Sequence, residues 1–363
     1  MKPAHILIIE DDDEARSMYQ LLLRRWDYRV TTAANGQEGI AAAKMDPPDL
    51  ILLDVMMPDM NGYAVCSKLR EDPRFGTVPI IYLTVLDSFD ARIKAYTTGG
   101  DDFLNKGQST PEEVHVRIQS ALNRTQRIQE GIEAGVEGVI VGLYSLRGRT
   151  GVSTIATNLA HHAAIHGQQP VILIDLSLPV GYTSIRGGIK GSRHIVELIS
   201  RSVSELDLAL INHFSIQHVN GFFFIPTPSQ IVDLRQVQIK ALHQLLKILR
   251  KEGYFVILDL GGATLPLLWH IPEKCDWVIT VTTPESISCE LANIAVRSLP
   301  EQDVAQNSML IVANDIDGRS REDFYDKLPH PPDIKIPYQP NFANLPESHA
   351  LAELWFLVRH RPR

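Results

Sequence analysis

The sequence predicts two α/β domains in succession. The chain has 363 residues, whereas a single hydrophobic core rarely grows beyond roughly 250–300 residues. Short apolar runs alternate with amphipathic stretches through both halves, which is typical of a parallel sheet with helices on both faces. A polar stretch, "NRTQRIQEGIEAGVEG", separates the two series. We therefore predict domains over residues 1–125 and 138–363, with a linker over 126–137.

Each series contains recognisable strands. In the first, the predicted strands are "HILII", "RVTTA", "DLILLD", "PIIYLT" and "DFL", with helical patterns such as "EARSMYQLLLRRW" between them. In the second, they are "VIVGLYS", "PVILIDL", "GFFFIPT", "YFVILDL", "WVITVTT" and "MLIVAND". The second series predicts a doubly wound, mostly parallel sheet. Near the C-terminus, "ALAELWFLVRHRPR" is expected to pack Leu351, Leu354 and Phe356 on that sheet.

The composition favours an ordinary cytoplasmic protein. Hydrophobic residues make up 44% of the chain and charged residues 21%, and no apolar run is long enough for a membrane-spanning helix. The N-terminus lacks the apolar segment and cleavage site of a secretory signal. Three cysteines, an odd number, suit a reducing compartment. The net charge of −8 argues against a dedicated nucleic-acid binder.

Reactive side chains stand where several strands of the first domain end. They are Glu10 and Asp11 after the first strand, Asp54 on the third, Thr84 on the fourth and Lys106 after the fifth. Ligands of parallel α/β sheets gather at this edge. Three carboxylates repel one another unless a hard cation such as Mg²⁺ lies between them. Asp54 could then attack a phosphoryl donor, while Lys106 neutralises the transferred group and Thr84 hydrogen-bonds it.

Four sequence blocks carry a family resemblance. "ILIIEDDDEAR", "LILLDVMMPDMNGYAV", "PIIYLT" and "GGDDFLNK" resemble, in order and spacing, the CheY-like receiver domain of two-component response regulators. The resemblance implies a flavodoxin-like (βα)5 fold, phosphorylation of Asp54 by a sensor histidine kinase or phosphotransfer protein, and a switch formed by Thr84 and Phe103. The implied Mg²⁺ ligands are Glu10, Asp11, Asp54 and the carbonyl of Met56. The alternative is a receiver fold that no longer switches.

Two local features of this domain need separate explanations. Gly107 follows Lys106, where the receiver family usually has proline, so the geometry of this loop is open. Asp12, Asp13 and Glu14 stand at the predicted start of the first helix. Helix capping and favourable interaction with the helix dipole explain these acids without a further metal site.

In the second domain, "SLRGRTGVST" (residues 145–154) lies between the apolar run "GVIVGLY" and the helix-like "IATNLAHHAA". A strand, a glycine-broken loop and a helix start are the parts of a phosphate-binding P-loop. Val152, however, stands where the P-loop lysine is expected. The stretch is therefore a nucleotide site, the remnant of one, or a plain strand-to-helix turn.

"LRGRTGVSTIATNLA" resembles the deviant P-loop of the MinD/ParA group of ATPases. Arg147 stands at the position of that motif's first lysine and Val152 at that of its second, while Arg149 replaces a glycine. The later blocks "PVILIDLSLPVGYTS" and "YFVILDLGG" continue the resemblance, with Ser177 at the position of a catalytic acid. The nucleotide-binding residues that the resemblance implies are Arg147, Gly148, Gly151, Ser153, Thr154, Asp175 and Asp259, with ATP or ADP as the weakly held ligand.

The order of blocks over residues 138–356 most resembles the TadZ/CpaE proteins of type IV (Tad/Flp) pilus assembly. In that family a receiver-type domain precedes a MinD/ParA-like domain, and the protein marks where the pilus machine is built. The resemblance implies a homodimer, pilus-assembly or polar-localisation partners, and recruitment to the cell pole or the inner membrane face.

Three function classes follow. The first is a phosphorylation-controlled scaffold without ATP turnover, which is favoured because Val152 and Ser177 replace catalytic groups. The second is an active ATPase that cycles on a surface. The third is a DNA-binding transcriptional regulator, which is disfavoured because the second half lacks a helix-turn-helix pattern with a basic recognition helix.

Overall fold

The computed structural model describes residues 3–58, 60–76, 78–84, 100–133, 135–178, 181, 193–217, 221–228, 230, 232–262, 270–299, 304–305, 308–318, 322–339 and 348–360. The chain forms two compact units. The first unit contains residues 1–130 and the segment 215–221, and the second contains residues 131–214 and 222–363. Among the described helices, none combines the length and the apolar character that crossing a bilayer requires.

The first unit alternates strands and helices along the chain. Its elements are β1 (His5–Ile9), α1 (Asp13–Arg25), β2 (Arg29–Ala33), α2 (Gly36–Met45), β3 (Leu50–Asp54), α3 (Gly62–Arg70), β4 (Ile80–Thr84), β5 (Asp102–Asn105) and α4 (Pro111–Glu133). The strands form a sheet in the order β2-β1-β3-β4-β5. All neighbours are parallel. Helix α4 continues to Glu133, into the stretch predicted as a linker.

Both faces of this sheet are buried. In β1, Leu7 and Ile9 belong to one apolar cluster, and Ile6 and Ile8 belong to the cluster on the other side. Successive side chains of a strand point to opposite faces, so a continuous apolar run is what a doubly covered strand requires. The α/β fold with a receiver-type sheet is confirmed.

The rest of the chain adds a larger α/β series. Its elements are β6 (Val139–Tyr144), α5 (Val152–His166), β7 (Val171–Asp175), α6 (Ile195–Ile199), α7 (Leu208–Phe214), β9 (Phe223–Ile225), α8 (Ile239–Lys251), β10 (Phe255–Asp259), β11 (Trp277–Thr282), α9 (Ser286–Ser298), β12 (Met309–Asn314), β13 (Ile334–Ile336) and α10 (His349–His360). The short strand β8 (Ile216–Gln217) lies in the segment 215–221 of the first unit. Seven strands are ordered β13-β12-β11-β6-β10-β7-β9. Each neighbouring pair among these seven is parallel. The predicted second parallel sheet is confirmed.

One packing prediction for helix α10 is wrong. Leu351 and Leu354 are buried as expected, but Phe356 is 59% exposed. The helical period explains the difference. Residues 351, 354 and 358 share one face of the helix, whereas position 356 lies well round the helix from them.

Candidate functional sites

Two buried acids lie side by side at the carboxyl edge of the first sheet. Glu10 directly follows β1 and Asp54 ends β3, and these strands pair in parallel with Ile9 opposite Leu53. Both acids are almost inaccessible to solvent, and the more exposed Asp11 lies next to them. Glu10, Asp11 and Asp54 each offer a carboxylate oxygen within 4.8 Å of the others. The three predicted metal-ligating carboxylates are therefore brought together.

The side chain of Lys106 reaches the same acids from an edge strand of the sheet. It follows β5, and its amide donates to the Thr84 carbonyl over 2.9 Å, which fixes the backbone beside β4. Its Nζ lies 2.6 Å from Glu10 Oε2 and 3.0 Å from Asp54 Oδ1. A buried carboxylate pair without a cation is strongly disfavoured, so this ammonium holds the edge together.

A second cation besides Lys106 would stabilise the charged acids of this cluster. Burial raises the pKa of Glu10 to about 7, with the Asp54 charge adding to the shift and Lys106 opposing it. Burial and the nearby Asp54 also raise the pKa of Asp11. A hard dication among these oxygens would favour their charged forms. The donor set therefore fits Mg²⁺.

The backbone around Asp54 leaves little freedom. The Met56 amide donates to Asp54 Oδ1 over 3.1 Å, which places Met56 directly beyond the acid. A Cβ at Gly62, the first residue of α3, would lie 2.2 Å from the Asp54 carbonyl oxygen. Only glycine permits this approach of helix to strand. The metal-binding role of the Met56 carbonyl stays a prediction.

The predicted switch residues lie on adjacent strands. Thr84 ends β4 and is buried, while Phe103 in β5 is opposite Tyr82 and packs partly buried against the core. The loop after β5 also explains the glycine at position 107. The Gly107 amide donates to Asn105 Oδ1 over 3.0 Å, and proline would lack this donor.

Comparisons with known proteins agree with this arrangement. The family model described as "Response regulator receiver domain" matches residues 6–119. Residues 6–119 form a receiver domain. The "Probable transcriptional regulatory protein TcrX" of Mycobacterium tuberculosis is 40% identical over 125 residues, 34% of this chain and 52% of that protein. The "DNA-binding dual master transcriptional regulator RpaA" of Synechocystis is 38% identical over 125 residues, again 34% of this chain and 52% of that protein.

A solved structure resembles the same part of the chain. It is the receiver domain of the sensor histidine kinase PA1611 of Pseudomonas aeruginosa, with a magnesium ion coordinated in its active-site cleft. The match has 28% identity and a TM-score of 0.32, and covers 33% of this chain and 98% of that one. The chain spans about half the length of the two curated relatives. The family match supports a role for residues 6–119 in two-component signalling.

The second unit has a cleft around the loop between β6 and α5. A cavity of about 500 Å³ is lined by residues 147–154 together with Ser177, Gly261, Gly262 and Ile316. Gly151 precedes α5 with φ of +92°, and a Cβ there would lie 2.3 Å from Asn314 Nδ2. No side chain caps α5 at this residue. The first N–H groups of a helix have no partner within the helix, so this end suits an anion.

Two buried acids stand opposite each other on the neighbouring strands. Asp175 ends β7 and Asp259 ends β10, and they are paired in register. Burial raises the pKa of Asp259 to about 7, and the charge of Asp175 adds to this, whereas the Ser153 hydroxyl and the Gly261 amide lower it. The structure thus brings Ser153, Asp175 and Asp259, all predicted from sequence, to one edge.

Hydroxyl and amide groups surround Asp175. The Ser177 amide donates to Asp175 Oδ1 over 3.0 Å, and the Ser177 hydroxyl donates to the same oxygen. The Thr227 hydroxyl reaches Asp175 Oδ2 over 3.4 Å. Ser177 therefore satisfies Asp175 rather than supplying a further carboxylate.

The residues at the two positions where lysines were expected have different surroundings. Arg147 Nη1 pairs with Glu285, which lies directly before α9 and lines an adjoining cavity that shares Arg147, Gly148, Arg149, Thr150 and Ile316 with the cleft. Val152 is buried in an apolar cluster that includes Val281 and Val312, although it also lines the cleft. Glu285 and Asn314 were not predicted. Glu285 follows one predicted strand and Asn314 lies at the end of another. These positions were the sequence signal that could have identified them.

Proposed function

We propose that this chain is a two-component signalling protein in which phosphorylation of Asp54 controls the second unit. The main support for this proposal is that Lys106 Nζ lies within 3.0 Å of both Glu10 and Asp54. A cluster of this kind provides carboxylates that bind a cation and a lysine that neutralises the transferred phosphoryl group. The donor is a sensor histidine kinase or a phosphotransfer protein.

In the proposed reaction an Asp54 carboxylate oxygen attacks the phosphorus atom of the donor. The new O–P bond forms while the bond from phosphorus to the donor's leaving group breaks. Glu10, Asp11, Asp54 and the Met56 carbonyl would hold Mg²⁺, which supplies charge neutralisation to the phosphoryl oxygens. Lys106 and the Thr84 hydroxyl would bind the transferred group. Lys106 is already directed to this place by Asp54.

Transfer from a small donor tests this directly. With acetyl phosphate and MgCl₂, we expect the intact chain to gain one phosphoryl group, seen as a retarded band in Phos-tag electrophoresis. Asp54→Asn should abolish the band, whereas Asp13→Asn, a control at an exposed acid of α1, should keep it. A retarded band in Asp54→Asn equal to that of the unmodified chain would refute the assignment.

For the second unit we propose a MinD/ParA-like scaffold that binds ATP or ADP weakly and does not turn it over. Burial of Val152 and the pairing of Arg147 with Glu285 support this, because neither position offers a cation already free for a terminal phosphate. Loss of one preorganised donor to a developing charge costs about 3 kcal/mol of barrier. The ligand set proposed is Arg147, Gly148, Gly151, Ser153, Thr154, Asp175 and Asp259.

The resemblance to TadZ/CpaE proteins extends the proposal to partners. A homodimer that recruits pilus-assembly or polar-localisation proteins at the cell pole or the inner membrane face fits a scaffold whose assembly depends on phosphorylation. The genes beside this one test this part. Pilus-assembly genes are expected there, and their absence would count against it.

One observation favours an active ATPase as a second candidate. Ser153 lines the cleft and its hydroxyl bonds Asp259, which is paired in register with Asp175. A hydroxyl and two carboxylates are oxygen ligands that Mg²⁺ accepts. A phosphate-release assay separates this from the scaffold.

The names of the curated relatives favour a DNA-binding regulator, and a gel-shift at physiological salt tests that.

A further inference from the structure

The loop between β6 and α5 carries two arginines with different surroundings. Arg147 is paired with Glu285, and both line, together with Arg149, the cavity that adjoins the cleft. Within the part of the chain that the structure describes, no carboxylate pairs with Arg149, which is exposed. The cleft therefore has one cation that is already compensated and one that is available.

Arg149 is held in an unusual backbone conformation. Its φ is +67°, in the left-handed region, where a Cβ crowds the backbone. Glycine adopts this conformation freely, and a longer side chain there is strained. Such strain persists when the surrounding structure imposes it, and here the strained residue is an exposed arginine that lines the cleft.

Two hydroxyl groups in this adjoining cavity also lack a hydrogen-bond partner among the described residues. Thr150 and Thr283 line it, are almost completely buried, and have hydroxyls that find no hydrogen-bond partner among the described residues. Buried hydroxyls are normally satisfied, so two unpaired ones in one cavity point to a missing ligand. The uncapped N–H groups of α5 add further donors.

We propose that Arg149 is the residue that binds the phosphate groups of a polyphosphate ligand, while Glu285 withholds Arg147 from it. A guanidinium offers a planar fork that matches phosphate oxygens. The Arg147–Glu285 pair is partly exposed, so its net strength is small, but the Glu285 charge also opposes an arriving anion. This rests on the proposed nucleotide binding, and it adds a specific cation and a built-in competitor.

Calorimetric titration of the full chain with ATP and, separately, with inorganic tripolyphosphate tests the assignment, in Mg²⁺ buffer at low salt. Arg149→Ala should weaken the binding of both ligands about tenfold or more. Glu285→Gln should strengthen it several-fold. The double variant Arg147→Ala with Glu285→Gln should bind more weakly than Glu285→Gln alone, because part of the gain of that single variant comes from the released Arg147. Arg297→Ala, an exposed arginine on α9, is the control.

Arg149→Gly separates binding from folding. It removes the guanidinium and relieves the left-handed strain, so it should lose affinity as Arg149→Ala does while raising the melting temperature. Affinity of Arg149→Ala and Arg149→Gly equal to that of the unmodified chain overturns the assignment alone. Binding of tripolyphosphate but not ATP supports Arg149 and refutes the nucleotide proposal. Binding of neither ligand by the unmodified chain overturns both.

Discussion

Glu10 and Asp54 in the first unit, and Asp175 and Asp259 in the second, occupy equivalent places in their sheets. Each pair stands at the carboxyl ends of two neighbouring parallel strands and is buried. In each pair one acid has a pKa raised to about 7, mainly by burial. The surroundings differ, because Lys106 bridges the first pair while hydroxyls and amides surround the second.

We propose that this difference separates phosphoryl transfer at the first site from ligand binding at the second. A phosphoryl group that moves needs positive charge fixed beside the attacking acid. The receiver has this charge in Lys106. In the second unit, the Ser177 amide and hydroxyl and the Thr227 hydroxyl donate to Asp175, and the Gly261 amide donates to Asp259. The corresponding sheet edge therefore carries a lysine-bridged acid pair in the first unit and an acid pair bonded to hydroxyl and amide groups in the second.

Removing the bridging cation should have the largest effect. Lys106→Met leaves the buried Glu10 and Asp54 without their partner, which typically costs about 3–5 kcal/mol of unfolding free energy. Urea unfolding at pH 8 measures this, with Lys44→Met as an exposed control. Added Mg²⁺ should restore part of the loss. Equal stability of Lys106→Met and the unmodified chain would break the comparison.

The pH dependence of the second pair gives the next effect. Asp259 has a folded pKa of about 7, above its ordinary value of 3.8, so the folded state keeps a proton that the unfolded chain loses near pH 4. Unfolding free energy should therefore fall as pH rises from about 4 to 7, and the penalty is fully present above 7. Asp259→Asn should add about 2–4 kcal/mol at pH 8 and little at pH 4. Denaturant unfolding across this range checks the slope, and an unchanged slope in the variant would contradict it.

Phosphorylation of the first site should change the assembly of the chain. If Thr84 and Phe103 rearrange as proposed, the surface beside them changes, and a coupling of about 1–3 kcal/mol to self-association is typical of such switches. Sedimentation with and without a phosphate mimic, using Asp54→Asn as the control, measures the dimer constant. The same constant in both conditions would refute the coupling.

Helix starts provide the smallest test of the comparison. Asp12 caps α1 by accepting from the amides of Glu14 and Ala15 over 2.8 and 3.0 Å, whereas α5 has no side-chain cap. Asp12→Ala should cost about 1 kcal/mol. Thermal unfolding measures this loss of stability. Phosphorylation of the Asp12→Ala variant by acetyl phosphate should equal that of the unmodified chain. No loss of stability would show that this cap contributes nothing.

Much of the fold could be predicted because its strands are buried on both faces. Continuous apolar runs such as "HILII" and "LILLD" have few other structures available, and their ends bring Glu10 and Asp54 together. The Asp12 cap was likewise readable from residue type and position. The Mg²⁺ ligands and the switch followed from the receiver resemblance, and their roles remain predictions.

Contacts that depend on sheet order could not be predicted. Glu285 lies 138 residues from Arg147 along the chain, and Asn314 lies 164 residues from Thr150. They meet because β11 and β12 lie beside β6 in the order β12-β11-β6, which local patterns do not state. The sequence showed that Val152 was not a lysine, but not that it joins the apolar core.

Phosphate release from ATP by the unmodified full chain distinguishes a second unit that binds nucleotide without turnover from one that hydrolyses it. With Mg²⁺ present, we expect a rate equal to the background of buffer alone, both for the unmodified chain and for Asp175→Ala. Measurable turnover by the unmodified chain that Asp175→Ala abolishes would contradict the account and make the second unit an ATPase.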